Sequence, residues 1–126
     1  MKELKLTIKK NWFAKIESGE KTEEYREINE YWLWRLFWNN GECEGSDEIL
    51  ADMRDPLRRH DSVQELIEYF GLQPKEYDVL HFYNGGYFSD TYPNLIVDYL
   101  GLDINKGKPE WGAEEGKYYF VLKLKK

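Results

Sequence analysis

The sequence predicts an α+β fold, built as a small mixed β-barrel, because strand-like segments bracket a block of helical ones. Strand periodicity occurs near both ends of the chain, at residues 2–10, 77–83, 95–104 and 117–125. Helical periodicity fills the middle block, residues 29–74. One short helix follows the first strand, and this order suits a small mixed barrel better than a doubly wound parallel sheet.

The first strand and helix are predicted from alternation and from a terminating glycine. Alternate positions of the first strand are apolar, at Leu4, Leu6 and Ile8. This period of two indicates a strand with one buried face. Asn11 is predicted to cap a helix over residues 12–18, and Gly19 to end it in a left-handed conformation. A second strand is predicted at residues 22–28.

The middle block predicts three further helices. Their ranges are residues 30–39, 47–55 and 63–70. Asn29 and Ser46 are predicted to begin the first and second of these helices. Ser62 and Glu65 have the spacing of a capping box for the third, and Gly71 is predicted to end it.

Length and composition favour a single domain covering residues 1–126 and exclude several classes of protein. An apolar content of 41% is too high for a disordered chain. No apolar run approaches the roughly 18 residues that a membrane span needs, and the start of the chain lacks a secretory apolar stretch. We therefore expect a cytoplasmic protein that does not enter a membrane.

Charge and cysteine content limit the possible ligands. The net charge of −6 argues against a protein that binds a phosphate backbone over its whole surface. A local basic cleft is compatible with this net charge. The lone Cys43 cannot form an internal disulfide, and with His60 and His81 it makes no zinc spacing. No metal and no cofactor are expected, and both histidines are interpreted as structural.

The segment that follows the first helix carries the candidate site. On a strand starting at residue 22, Thr22, Glu24 and Arg26 would share one face, so Glu24 and Arg26 could pair. Lys21 could lean its long side chain over the same face. A carboxylate next to two cations suits the binding of phosphate or of a base edge, whereas the alternative is a solvated strand edge.

These residues resemble the signature of the ASCH domain family, G-x-K-x-x-E-x-R. The matching positions are Gly19, Lys21, Glu24 and Arg26. The resemblance covers about residues 1–28 and 77–126, and it implies a PUA-like pseudobarrel with a helical insertion at about 29–74. It also implies a cleft, lined by the motif, that binds RNA or a nucleotide or modified nucleoside.

Two alternative functions stay open. Family members include an amidohydrolase acting on an acetylated cytidine and others described as ribonucleases, which implies a possible hydrolase with Lys21 and Glu24 as catalytic groups. In the amidohydrolase pattern a threonine stands where this chain has Glu24, and Thr22 could substitute for it. The second alternative is a protein-interaction domain that uses the aromatic insertion, with an unknown protein partner.

Two aromatic features are further candidates for ligand contact. The predicted helix at 30–39 contains Trp32, Trp34, Phe37 and Trp38 together with Arg35. Such a stripe could stack on bases, but aromatic residues at helical spacing more often pack into a core, which is the interpretation we favour. Tyr87 follows the turn at residues 84–86 and is predicted to contact a ligand, because glycines allow close backbone approach.

Overall fold

The computed structural model describes residues 1–38, 46–55, 62–85 and 93–125. Its elements are β1 (Glu3–Ile8), α1 (Lys10–Glu17), β2 (Glu23–Arg26), α2 (Glu30–Leu36), α3 (Ser46–Arg54), α4 (Val63–Phe70), β3 (Val79–Asn84), β4 (Asn94–Lys106), a 3-10 turn (Pro109–Trp111) and β5 (Tyr118–Lys125). Within these described ranges, no helix is long and apolar enough to cross a membrane.

The strands form one sheet, in the hydrogen-bonded order β1-β3-β4-β5-β2. The sheet is mixed, because β3 runs parallel to β1 and antiparallel to β4. A mixed sheet combined with the four described helices is compatible with the predicted barrel-like α+β fold.

The chain divides into two compact units. The first unit comprises Met1–Glu24, Glu76–Gly101 and Leu122–Lys126, and the second comprises Tyr25–Lys75 and Leu102–Val121. Acidic and basic residues balance in the first unit, so the net charge of −6 belongs to the second. An anionic ligand therefore meets less general repulsion at the first unit.

In the first unit, β1 lies in register with β3. Leu4 pairs with Leu80 and Leu6 with Phe82, and all of these side chains are buried. The alternating burial of β1 confirms the predicted half-buried strand.

Helix α1 begins earlier than predicted. The backbone N–H of Phe13 donates to the carbonyl of Lys9 at 2.9 Å, so Asn11 lies inside the helix. Lys9 occupies the N-cap position in an extended conformation, without a side-chain cap bond, and the prediction of Asn11 as the cap is therefore wrong. Gly19 follows the helix with φ of +83°, as predicted for a left-handed termination.

The second unit contains the helices of the middle block. Asn29 caps α2, since its side chain accepts a hydrogen bond from the Trp32 backbone N–H at 3.0 Å. The helix ends at Leu36 rather than at residue 39, because Phe37 is extended and forms an isolated bridge with Pro74.

The later helices match their predicted signals closely. Ser46 is the first residue of α3 rather than a residue preceding it. The Ser62 hydroxyl accepts from the Glu65 backbone N–H, and Gly71 ends α4 in the left-handed conformation, which confirms both predicted ends of that helix.

Aromatic packing stabilises the second unit around β5. Ala113, Tyr119 and Val121 form a buried cluster against which Tyr25 packs. The Tyr25 and Tyr119 rings lie 5.7 Å apart between centroids. These two tyrosines thus serve as core side chains, which is the usual role of aromatic residues.

Candidate functional site

Two backbone hydrogen bonds hold the motif segment against the end of α1. The N–H of Gly19 donates to the carbonyl of Ile16, and the N–H of Lys21 donates to that of Lys15, both at 3.0 Å. The positive φ of Gly19 lets the chain turn back toward the helix so that these bonds can form. Lys21 is thereby fixed against the end of α1, just before β2.

Lys21 and Glu24 form a buried ion pair. The Nζ atom of Lys21 lies 3.0 Å from Oε1 of Glu24, and only 1% and 8% of the two side chains is exposed. The same ammonium lies 4.8 Å from the centroid of the Trp12 ring, within the range of a cation–π contact. Neutralisation by a carboxylate and contact with an indole together allow a lysine to be buried here.

A groove of about 510 Å³ adjoins the motif segment within the first unit. Its walls are formed by Gly19, Lys21, Thr22, Glu23, Leu100, Lys123, Leu124 and Lys125. The backbone N–H of Leu124 donates to the carbonyl of Thr22 at 3.0 Å and joins the two walls. Lys123 and Lys125 are exposed and, being two residues apart on β5, share one face of the strand.

The Lys21 ammonium is buried, so the groove exposes the hydroxyl and lysine side chains of other residues. Thr22 is exposed in the groove wall, whereas Lys21 is 1% exposed and Glu24 does not line the groove. A ligand would therefore meet Thr22, Lys123 and Lys125, together with the carboxylate of Glu23. For the Lys21 amine to act on a ligand, it would first have to leave Glu24.

Arg26, the last motif residue, lies in the second unit next to the aromatic helix. Its guanidinium carbon lies 5.0 Å from the centroid of the Trp32 ring, and that of Arg35 lies 5.1 Å from the same ring. Arg35 also donates a hydrogen bond to the Tyr31 hydroxyl at 3.1 Å. The predicted pairing of Glu24 with Arg26 stays a prediction.

The aromatic residues of this segment divide between core and surface. Phe37 is fully buried, with its ring centroid 6.4 Å from that of Phe120, whereas Trp38 is 50% exposed and Tyr31 63% exposed. The preference for core packing is thus confirmed for Phe37 and is wrong for Trp38, because the helix ends before that residue.

Sequence reasoning missed a polar cluster around His81 in the first unit. Its Nδ1 lies 3.1 Å from a Glu3 carboxylate oxygen and 3.2 Å from the Tyr83 hydroxyl, and its Nε2 lies 3.0 Å from Oδ1 of Asn94. With both ring nitrogens bonded, His81 is a satisfied structural histidine, as predicted. The cluster depends on the register of three strands, which no local sequence signal reveals.

Some predicted positions lie outside the described residues. These are Tyr87, His60 and Cys43. The preceding turn is described as far as Gly85, whose φ is +101°. Across the described part of the chain, no three His, Cys, Asp or Glu side chains come together as a metal site would require.

Comparisons of this chain with protein-family models, with curated proteins and with solved structures found no match. The resemblance to the ASCH family accordingly depends on the motif and its flanking segments. Functional inference depends on the geometry of the site.

Proposed function

We propose that this chain is an ASCH-type domain of PUA-like fold that binds RNA, or a nucleotide or modified nucleoside, in the groove beside the motif. The observation that carries the proposal is the composition of that groove. Its walls bring Gly19, Lys21 and Thr22 together with the exposed Lys123 and Lys125.

The size of the groove fits a nucleotide. Pockets that enclose small organic ligands generally measure about 300–1,000 Å³, and this groove measures about 510 Å³. A longer RNA strand could place one of its nucleotides in the groove.

The two exposed lysines of the groove outnumber its one carboxylate, Glu23, and this balance suits a phosphate-bearing ligand. Lys123 and Lys125 project from the same side of β5, with Cα atoms about 6.6 Å apart by strand geometry. They can approach phosphate oxygens as point charges. The Thr22 hydroxyl can both donate and accept a hydrogen bond, so it suits a ribose hydroxyl or a base edge.

The buried ion pair would serve the groove by fixing its wall. Lys21 is held by its backbone bond to Lys15, by Glu24 and by the Trp12 ring. A wall that is fixed before the ligand arrives loses less conformational entropy on binding. Lys21 and Glu24 are accordingly positioning residues in this proposal, and Thr22 is the polar contact.

The test is a titration of labelled short single-stranded RNA, followed by fluorescence anisotropy over a range of salt concentrations. The variant Lys123→Gln/Lys125→Gln should bind at least about ten-fold more weakly than the parent. For this variant, a plot of the logarithm of the binding constant against the logarithm of the salt concentration should be shallower by up to about 1.4. Each phosphate contact to a single strand contributes about 0.7 to that slope.

The matched control is Lys9→Gln/Lys10→Gln, which removes the same charge from exposed positions of the first unit that do not line the groove. If the control weakens binding as much as the groove variant does, the attraction is general and the groove is not the site. A parent protein that binds neither RNA nor nucleosides would also overturn the proposal.

The Thr22→Val variant separates nucleotide recognition from simple charge attraction. Valine has nearly the shape of threonine but no hydroxyl, so it should weaken binding with the salt slope unchanged. Incubation with acylated cytidines and with RNA tests the hydrolase alternative. Turnover by the parent that disappears in Thr22→Val would favour hydrolysis over binding alone.

A further inference from the structure

The second unit contains a smaller cavity that the motif does not involve. It measures about 210 Å³ and is lined by Glu27, Ile28, Arg54, Gly116, Lys117 and Tyr118. These residues come from the segment after β2, from the last turn of α3 and from the start of β5. The cavity thus depends on three segments that are distant in sequence.

Arg54 is oriented in this cavity by a backbone anchor. Its Nε donates a hydrogen bond to the carbonyl of Ile28 at 2.7 Å, and Ile28 is 3% exposed. A guanidinium held through Nε still carries four N–H groups on its terminal nitrogens. Within the described ranges, Arg54 makes no ion pair with a carboxylate, so its charge is available to a ligand.

Lys117 provides a second cation, and it already forms an ion pair with Glu27. Its Nζ lies 2.7 Å from Oε1 of Glu27, and this hydrogen bond, aided by the charges of Glu27 and Glu114, raises the pKa of Lys117. Lys117 therefore stays positively charged at neutral pH, and Glu27 offsets that charge. Glu114 reduces the local positive potential further.

The remaining wall contributes a ring and another nearby cation. Tyr118 lines the cavity, and Nζ of Lys106 lies 5.9 Å from the centroid of its ring. The charges of Lys117 and Glu27 cancel, so Arg54 leaves the lining residues with a net charge of +1. This positive charge occurs in a unit whose residues are acidic in sum.

We propose that this cavity binds a small oxyanion, a phosphate or a carboxylate group, with Arg54 as the principal donor and Lys117 as the second. The cavity of about 210 Å³ is below the usual range of about 300–1,000 Å³ for organic ligands, which favours an ion or a single terminal group. A guanidinium suits this role because its parallel N–H groups match two oxygens of one anion. The proposal is independent of nucleotide binding in the first unit.

The experiment titrates the full chain with inorganic phosphate, with sulfate and with acetate, each against sodium chloride at constant ionic strength. The response is read from the Arg54 side-chain Nε–H signal by nuclear magnetic resonance. We expect a saturable shift with at least one of these anions. Comparison of the phosphate and acetate arms identifies which oxyanion the cavity prefers.

Three variants make the test specific. Arg54→Gln, followed through backbone amides near Gly116, should bind at least about ten-fold more weakly. Glu27→Gln should bind several-fold more tightly, because it removes a negative charge beside the anion. The control Lys108→Gln removes an exposed lysine of the same unit that does not line the cavity, and it should leave binding unchanged.

If Arg54→Gln fails to fold, Lys117→Gln and Glu27→Gln provide the test instead, with opposite effects on affinity expected. A parent that shows no saturable response to any of the three anions overturns the proposal. The proposal would also be overturned if Glu27→Gln and Lys108→Gln changed the affinity for the anion equally, since the signal would then report general ionic effects.

Discussion

Replacing Lys21 with methionine should lower the free energy of unfolding by about 3–5 kcal/mol, because it leaves the Glu24 carboxylate buried without its cation. At the observed separation of 3.0 Å and an effective dielectric constant of about 20, the Coulomb attraction of the pair is about 5–6 kcal/mol. Dehydration of the two charges offsets part of this attraction in the parent. In the variant, the dehydration of Glu24 remains and the attraction is gone.

The double variant Lys21→Met/Glu24→Leu should recover much of that loss. Replacing a buried ion pair with apolar side chains is often close to neutral, because neither charge then has to be dehydrated. We expect a coupling energy of about 2 kcal/mol or more between the two positions. The milder Glu24→Gln variant gives a second measurement if Lys21→Met does not fold.

The assay is urea unfolding followed by tryptophan fluorescence, with free energies compared at equal m-values. The matched control is Lys15→Met, because the Lys15 ammonium also lies over the Trp12 ring, at 5.3 Å, without being buried. This control should change stability by less than about 0.5 kcal/mol. The reasoning about the buried pair is refuted if Lys21→Met lowers the free energy of unfolding no more than Lys15→Met does. It is also refuted if the loss in the double variant equals the sum of the losses in the two single variants.

Three further predictions concern the stability of the fold outside the groove and the cavity. Gly107→Ala should destabilise the protein by about 1–3 kcal/mol in urea unfolding, because the new Cβ would overlap that of Ala113, and adding Ala113→Gly should restore part of the loss. Asn29→Ala should cost about 1 kcal/mol in the same assay by removing the cap bond to Trp32, and an unchanged midpoint would contradict that role. Burial, reinforced by Tyr77, raises the pKa of Tyr99 above the ordinary value of 10.0, so the stability that this phenol contributes is fully present below pH 10.0 and falls above it, by up to about 1.4 kcal/mol per pH unit. Unfolding at a series of alkaline pH values should therefore show a smaller slope in Tyr99→Phe than in the parent.

The positions of most helices and strands could be predicted from the sequence because their signals are local. Alternation at Leu4, Leu6 and Ile8 specified a half-buried strand, and Ser62 and Gly71 specified both ends of α4. The predicted end of α2 was wrong because a distant segment altered a local preference. Phe37 leaves the helical pattern to pair with Pro74, and no pattern within α2 contains that information.

The candidate site shows the same division. The spacing predicted that Lys21 would lie over the face that carries Glu24, and the two side chains form an ion pair at 3.0 Å. Side-chain spacing did not predict that the ammonium would be buried, because burial depends on Trp12 and on the packing of the surrounding elements. The expected cationic opening is formed instead by Lys123 and Lys125, which come from the end of the chain.

The sequence by itself determined the α+β class, the order of the elements and the residues of the motif, because periodicity, caps and glycine positions act over a few neighbouring residues. Only the tertiary structure decided which side chains meet across long separations. It placed Thr22 in one groove with Lys123 and Lys125, and it placed Arg54 in one cavity with Lys117. The physical reason is that strand register and packing fix such contacts, and neither follows from the preferences of the individual segments.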